Sequence, residues 1–193
     1  MKLKYFFILL IIFELVSCNK MQHKKYAEDI TFSVDNFLIE TIRDALIPDI
    51  QVAIPKGWEK VSDDIIGTLQ KNMKLEKNII KDISPLFAYK DSLNSNILTV
   101  SIYVGLENLN SFIDIYKNNI EEKLKSDKMK INYFSNNGLN ISQIMIYNSN
   151  LFNLKLIFKT SIGIYVIDYL LTMDYYNKNL KTIESSIGQL KRR

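Results

Sequence analysis

The chain of 193 residues contains one cysteine, so it can form no internal disulfide and no cysteine-built zinc site. It contains one histidine, His23, which leaves little for imidazole catalysis or a multi-histidine metal centre. Three prolines and six glycines exclude a collagen-like, proline-rich or glycine-linker protein. The glycines are scattered at 57, 67, 105, 138, 163 and 188, and form no G-x-S-x-G elbow, Walker loop or G-x-G-x-x-G turn. Charge of one sign is also scarce. Lys and Arg number 25 against 21 acids, and the net charge of +4 gives no reason to propose a nucleic-acid partner. What is present, 47% hydrophobic and 24% charged residues, is the composition of one globular domain.

The N-terminus has its own pattern. Lys2 and Lys4 precede an apolar run, Tyr5 to Phe13, about half the ~20 residues needed to span a bilayer. A charged start, a short apolar run and small residues after it describe a secretory signal. Leu15-Val16-Ser17 then leads directly into Cys18, the only cysteine. This segment resembles the lipobox of bacterial lipoproteins. The resemblance implies cleavage of a signal peptide, residues 1–17, a diacylglycerol on the Cys18 thiol, and an acyl chain such as palmitate on the new amine. Several chains satisfy the physical requirement that stable anchoring takes more than one, at about 0.8 kcal/mol per buried CH₂. Residues 18–28 then form the lipidated Cys and a polar tether, in which Lys20, Lys24 and Lys25 either touch anionic head groups or remain solvated. His23 lies in this tether, with nothing nearby to fix its geometry. The expected location is therefore a bacterial membrane, by a lipid anchor, with the periplasmic and outer-surface sides both open.

Residues 29–193 read as a single α+β domain. Asp35 as an N-cap, with apolar Phe37, Leu38, Ile42, Ala45 and Leu46, predicts a short helix over 36–46. Ile50, Val52 and Ile54 predict a strand, followed by a Pro55-Lys56-Gly57-Trp58 turn. Ser62-Asp63-Asp64 opens a helix through Ile65, Ile66, Leu69 and Met73, with Lys71, Lys74 and Lys77 as a solvated stripe. Strands are expected at 86–89 and at 98–104, where Leu98, Val100, Ile102 and Val104 alternate with polar residues. Leu109, Phe112, Ile113, Tyr116, Ile120 and Leu124 define an amphipathic helix. Asn137-Gly138 between two apolar runs predicts a hairpin. Alternation at 152–158 and 165–173 adds two strands, and Leu180, Ile183, Ile187 and Leu190 mark a final helix. Strands joined by short turns are antiparallel, and helices on an antiparallel sheet make the fold class α+β.

Ile54-Pro55-Lys56-Gly57-Trp58 resembles the early I-P-x-G-W segment of the PsbP-like superfamily, and Ile183-Glu184-Ser185-Ser186-Ile187 its final-helix I-x-x-S-I pattern. The resemblance spans about residues 50–190 and implies a curved antiparallel β-sheet flanked by helices, an α/β/α sandwich, serving as a protein-binding or assembly module. No functional residue transfers with it, because the matched positions belong to turns and packing.

Few residues invite chemistry. Asp63-Asp64 suits a helix N-terminus better than a cation site, and Asp168 is expected at the surface or a sheet edge. Trp58 is expected to pack the turn. Tyr165, Tyr169, Tyr175 and Tyr176 cluster around the last strand and its exit and are the candidate partner contact, tyrosine being favoured at interfaces. No cofactor, metal or catalytic residue is assigned. The sequence thus points to a membrane-anchored, non-catalytic protein-binding or envelope-assembly module, with a carrier of an apolar ligand as the alternative.

Overall fold

Four consecutive alternating segments build the centre of the molecule. In the computed structural model, which describes residues 30–42, 44–74, 79–93, 95–124, 129–147 and 149–193, these are β6 (Met129–Asn136), β7 (Leu139–Tyr147), β8 (Leu151–Lys159) and β9 (Ile164–Thr172). Each pairs antiparallel with the next. β5 (Ile97–Tyr103) and β4 (Ile83–Lys90) continue the sheet beyond β9, with short β3 (Glu59–Lys60) at the edge. The order is β3-β4-β5-β9-β8-β7-β6. A second sheet, β1-β2-β10, is built from Ile39–Ile42, Ile50–Pro55 and Lys191–Arg192. All ladders are antiparallel, as expected for the α+β class.

The large sheet is covered on both faces. Leu98, Val100, Phe152, Leu156, Ile167 and Leu171 point to one side, where they meet Val52 and Ile54 of β2 and Ile183 and Ile187 of α4 (Leu180–Gly188). Alternate residues Tyr103, Ile144, Ile157 and Val166 point to the other side, under Phe112, Ile113 and Tyr116 of α2 (Leu109–Leu124). α1 (Asp63–Lys74) closes over β4 through Ile66 and Ala88. A strand covered on both faces holds few polar residues, and each needs a partner.

The two short patterns singled out in the sequence have packing reasons. Trp58 N–H donates to the Pro55 carbonyl at 3.3 Å, and the turn needs Gly57 at φ +80°. The turn delivers Trp58 into the core, 7% exposed, with its indole Nε1–H on the Tyr175 hydroxyl at 3.2 Å. In α4, Ile183 and Ile187 enter the core while Ser186 Oγ donates to the Ala53 carbonyl of β2. The Tyr169 hydroxyl lies 2.7 Å from the same Oγ, so one serine joins α4 to both sheets. The hairpin forms where expected, with φ 48° at Asn137 and 75° at Gly138.

Three expectations are corrected. The helix over 36–46 is instead a turn followed by β1. Asp35 Oδ1 accepts from Phe37 N at 2.9 Å and Asp44 Oδ1 from Leu46 N at 2.9 Å, so each aspartate closes its own local turn rather than capping a helix. Ile39, Thr41 and Ile42 between them pair with β2. Strand β5 ends at Tyr103, so Val104 stands outside the sheet. The alternation at 165–173 stops at Thr172, whose Oγ1 accepts from Tyr175 N at 3.2 Å and starts a further short helix, α3 (Met173–Lys178). Lys77, and the Lys74 side chain, lie outside the described residues; Lys71 is exposed.

Candidate functional site

The structure divides the four tyrosines. Tyr165 and Tyr169 are 0% and 1% exposed, because both fall on the face of β9 that packs against β2 and α4. The Tyr165 hydroxyl donates to Asp49 Oδ1 at 2.8 Å and Tyr169 is spent on Ser186. A buried ring cannot meet a partner, so these two leave the candidate surface.

Tyr175 and Tyr176 lie half-buried on α3, with their rings against Trp58 (5.9 Å between centroids) and Phe152 (4.0 Å). Burial raises both hydroxyl pKa values, opposed at Tyr175 by the Trp58 hydrogen bond and reinforced at Tyr176 by Tyr147 and Glu184. Two neighbouring turns are fastened to this end of the sheet. Thr172 N–H donates to Asn96 Oδ1 at 2.8 Å, and Met173 N–H to the Asn150 carbonyl at 2.9 Å. These bring Leu93, 89% exposed, and Leu151, 37% exposed, to the same end. Half-buried aromatics and exposed leucines at one end of the sheet form the candidate site: a surface suited to apolar contact. Sequence reasoning found its two tyrosines and missed Leu93, an apolar residue inside the polar turn 91–96 that is itself the available signal.

Asp168 is not at an edge. It pairs in register with Lys155 across β8 and β9, on the face covered by α2. Lys155 Nζ donates to Asp168 Oδ2, and Asn153 Nδ2 donates to Asp168 Oδ1 at 2.6 Å. Lys155 Nζ also stands 5.9 Å from the centre of the Tyr116 ring. Burial alone would lower the Lys155 pKa, but Asp168 and Tyr116 outweigh it and hold the ammonium charged. A lysine kept charged and a carboxylate already holding two donors offer neither base nor nucleophile. Asp63 and Asp64 sit exposed in the first turn of α1, where Ser62 O accepts from Ile65 N and Ile66 N. Among the described residues, no three His, Cys, Asp or Glu side chains converge to hold a metal. Cys18 and His23 lie outside the described residues.

These buried groups set an alkaline limit. Burial pushes Tyr169 up to about 12, with Ser186 opposing, and raises Tyr116 against the pull of Lys155. Each folded pKa lies above its unfolded value. The corresponding stability is complete below about pH 10 and is lost as pH rises through the raised values. The melting temperature is expected to fall steeply between pH 10 and about 12, the value at Tyr169, and less steeply in Tyr169→Phe. Thermal melts followed by circular dichroism at stepped pH test this, and a flat profile to pH 12 contradicts it.

The arrangement of a seven-stranded antiparallel sheet between helices and a small second sheet is a PsbP-like fold. The cyanobacterial PsbP (CyanoP) of Synechocystis sp. PCC 6803 matches it with a TM-score of 0.54 and 9% identity, over 83% of this chain and 96% of that one. A looser likeness, TM-score 0.46 and 8% identity over 84% and 98%, is to LpqN of Mycobacterium tuberculosis, described as involved in cell envelope biogenesis. No family model and no curated protein matches the sequence. Among the described residues, no helix is long and apolar enough to cross a membrane.

Proposed function

We propose that this chain is a membrane-anchored bacterial lipoprotein whose folded domain is a non-catalytic binding or assembly module. The anchor is Cys18, at the one position the lipobox-like pattern requires. The observation that carries the binding role is the α3 end, where Leu93 stands 89% exposed at the same end of the sheet as half-buried Tyr175 and Tyr176. Its occupant is a protein with a complementary apolar surface, met by tyrosines that bury area and keep a polar tip. The interior supports a module without catalysis, since the buried Lys155–Asp168 pair among the described residues is closed on itself. The alternative, a carrier, needs an apolar cavity between the layers. Clefts of about 570, 360 and 340 Å³ among the described residues open to the surface beside exposed polar groups, and one of about 590 Å³, lined mainly by Ile30, Phe32, Ile131, Tyr133 and Phe134, is apolar but lies open on the surface rather than enclosed between the layers.

Cys18→Ser tests the anchor. The wild type is expected in the membrane pellet with a lipid-modified N-terminal peptide by mass spectrometry, and the variant in the supernatant, because one substitution removes every acyl chain. Equal partition of the two would overturn the anchor. For the surface, a photo-crosslinker at Leu93 in the anchored protein should capture a discrete partner that one at exposed Lys71 does not. Identical products from both positions would count against the α3 end.

A further inference from the structure

The opposite end of the large sheet carries a second exposed apolar group. It lies where β6 meets β7, β8 meets β9, and β5 leads into α2. Val104 is 72% exposed and Leu106 104% exposed, in the segment between β5 and α2. This segment is held rather than loose. A Cβ on Gly105 would fall 1.9 Å from the Tyr103 hydroxyl, so only glycine lets the backbone lie over that ring. The Tyr103 ring in turn packs on Phe112 at 4.9 Å. Ile162, 42% exposed, sits in the neighbouring turn, which is closed by Thr160 N–H on the Gly163 carbonyl at 2.9 Å. The two turns touch, since a Cβ on Gly163 would meet the Tyr103 carbonyl at 2.7 Å. Three apolar tips therefore project together from rigid turns.

Cations stand to one side of them, and Lys81 with Asp82 lines a smaller cleft against Val104. A cleft of about 570 Å³ at this end is lined by Lys159 and Arg192 with Asn108, Asn110 and Asn140. Lys191 follows Leu190, whose carbonyl accepts from the hairpin residue Asn137 at 3.0 Å. Of the acids here, Glu107 turns Oε2 inward, Asp49 accepts from the Tyr165 hydroxyl at 2.8 Å through Oδ1, and Asp82 is exposed. The chain also enters the domain at this end: Ile30 N–H donates to the carbonyl of Ser135, one residue before the end of β6. Residues 18–30 extended reach at most about 40 Å, so lipid on Cys18 keeps the point of entry, and this end with it, within that distance of the membrane.

We infer that this end docks on an anionic bilayer, with Val104, Leu106 and Ile162 entering the interface and Lys159, Lys191 and Arg192 on lipid phosphates. The inference rests on the anchored reading above. Three tips with cations to one side form a small patch beside the ~800 Å² that a stable protein interface buries per partner, and suit shallow insertion between head groups. The protein partner is then left to the α3 end, which faces away from the membrane.

The test uses the lipidated full chain on vesicles of phosphatidylcholine alone or with phosphatidylglycerol, followed by hydrogen exchange. On anionic vesicles, amides of 104–108 and 160–163 are expected to exchange about tenfold more slowly than on neutral ones, with 91–93 unchanged. Lys159→Glu/Arg192→Glu should abolish the slowing while the acyl chains keep the protein on the vesicles. Equal exchange on both vesicles, with the protein still floating, overturns this docking and leaves the anchor intact. Slowing that requires added host membrane proteins overturns it in favour of a protein occupant. A wild type that does not float overturns the anchor, and the docking with it.

Discussion

Asp168→Ala is expected to destabilise the fold by about 3 kcal/mol, while Lys155→Met/Asp168→Leu stays within about 1 kcal/mol of the wild type. Lys155 is 9% exposed, between apolar neighbours on the helix-covered face of the sheet. Deleting the carboxylate leaves an ammonium there without its counter-charge and strips Asn153 of its 2.6 Å acceptor. Removing one partner of a buried pair costs about 3–5 kcal/mol, and the low end applies because the Asp168 side chain is 30% exposed. Replacing both groups by apolar ones removes the desolvation cost along with the attraction. Urea unfolding of the two variants decides the matter, and a loss under 1 kcal/mol for Asp168→Ala would refute it. The pair also guards register. A one-residue slip of β8 would turn Lys155 into the apolar layer of Leu154, Leu156 and Phe158 and away from Asp168.

That pair shows where sequence reading stops. The alternation along 152–158 and 165–171 was legible, and so were both strands, because apolar period 2 is a local property. Lys155 and Asp168 stand 13 residues apart, and only the register fixed by the turn at 160–163 makes them neighbours. Asp168 therefore reads as a surface acid until the pairing is known. Tyr165 and Tyr169 mislead for a related reason. Alternation places them on one face, but not whether that face is covered, and here the second sheet and α4 cover it. The helix expected over 36–46 fails because Asp35 serves an N-cap and a tight turn equally well. Strand pairing with β2, a non-local event, decides between them. By contrast Gly57, the Asn137-Gly138 hairpin and Ser186 depend on local geometry or a single contact, and their patterns were visible in the sequence.

Phe112→Ala is expected to carry the largest single cost, about 4 kcal/mol, with a fall in melting temperature of about 10 °C for a domain of this size. Phe112 is fully buried, between Tyr103 at 4.9 Å and Tyr116 at 5.5 Å, the latter nearly parallel at 13°. Truncation opens a cavity that two fixed sheet strands cannot collapse into, and it removes two aromatic contacts worth about 0.5–1.5 kcal/mol each. The effect reaches the surface by a short route. Phe112 supports Tyr103, and Tyr103 supports the backbone at Gly105 that holds Val104 and Leu106 outward. Phe112→Leu, which keeps most of the volume, should recover more than half of the stability. It should also restore slow exchange at 104–108 on anionic vesicles in step with that recovery. If Phe112→Leu folds as well as the wild type but presents a loop that never slows, support of the loop through Tyr103 is the wrong account. If Phe112→Ala melts within 3 °C of the wild type, the stacked aromatic layer is not the main tie between α2 and the sheet.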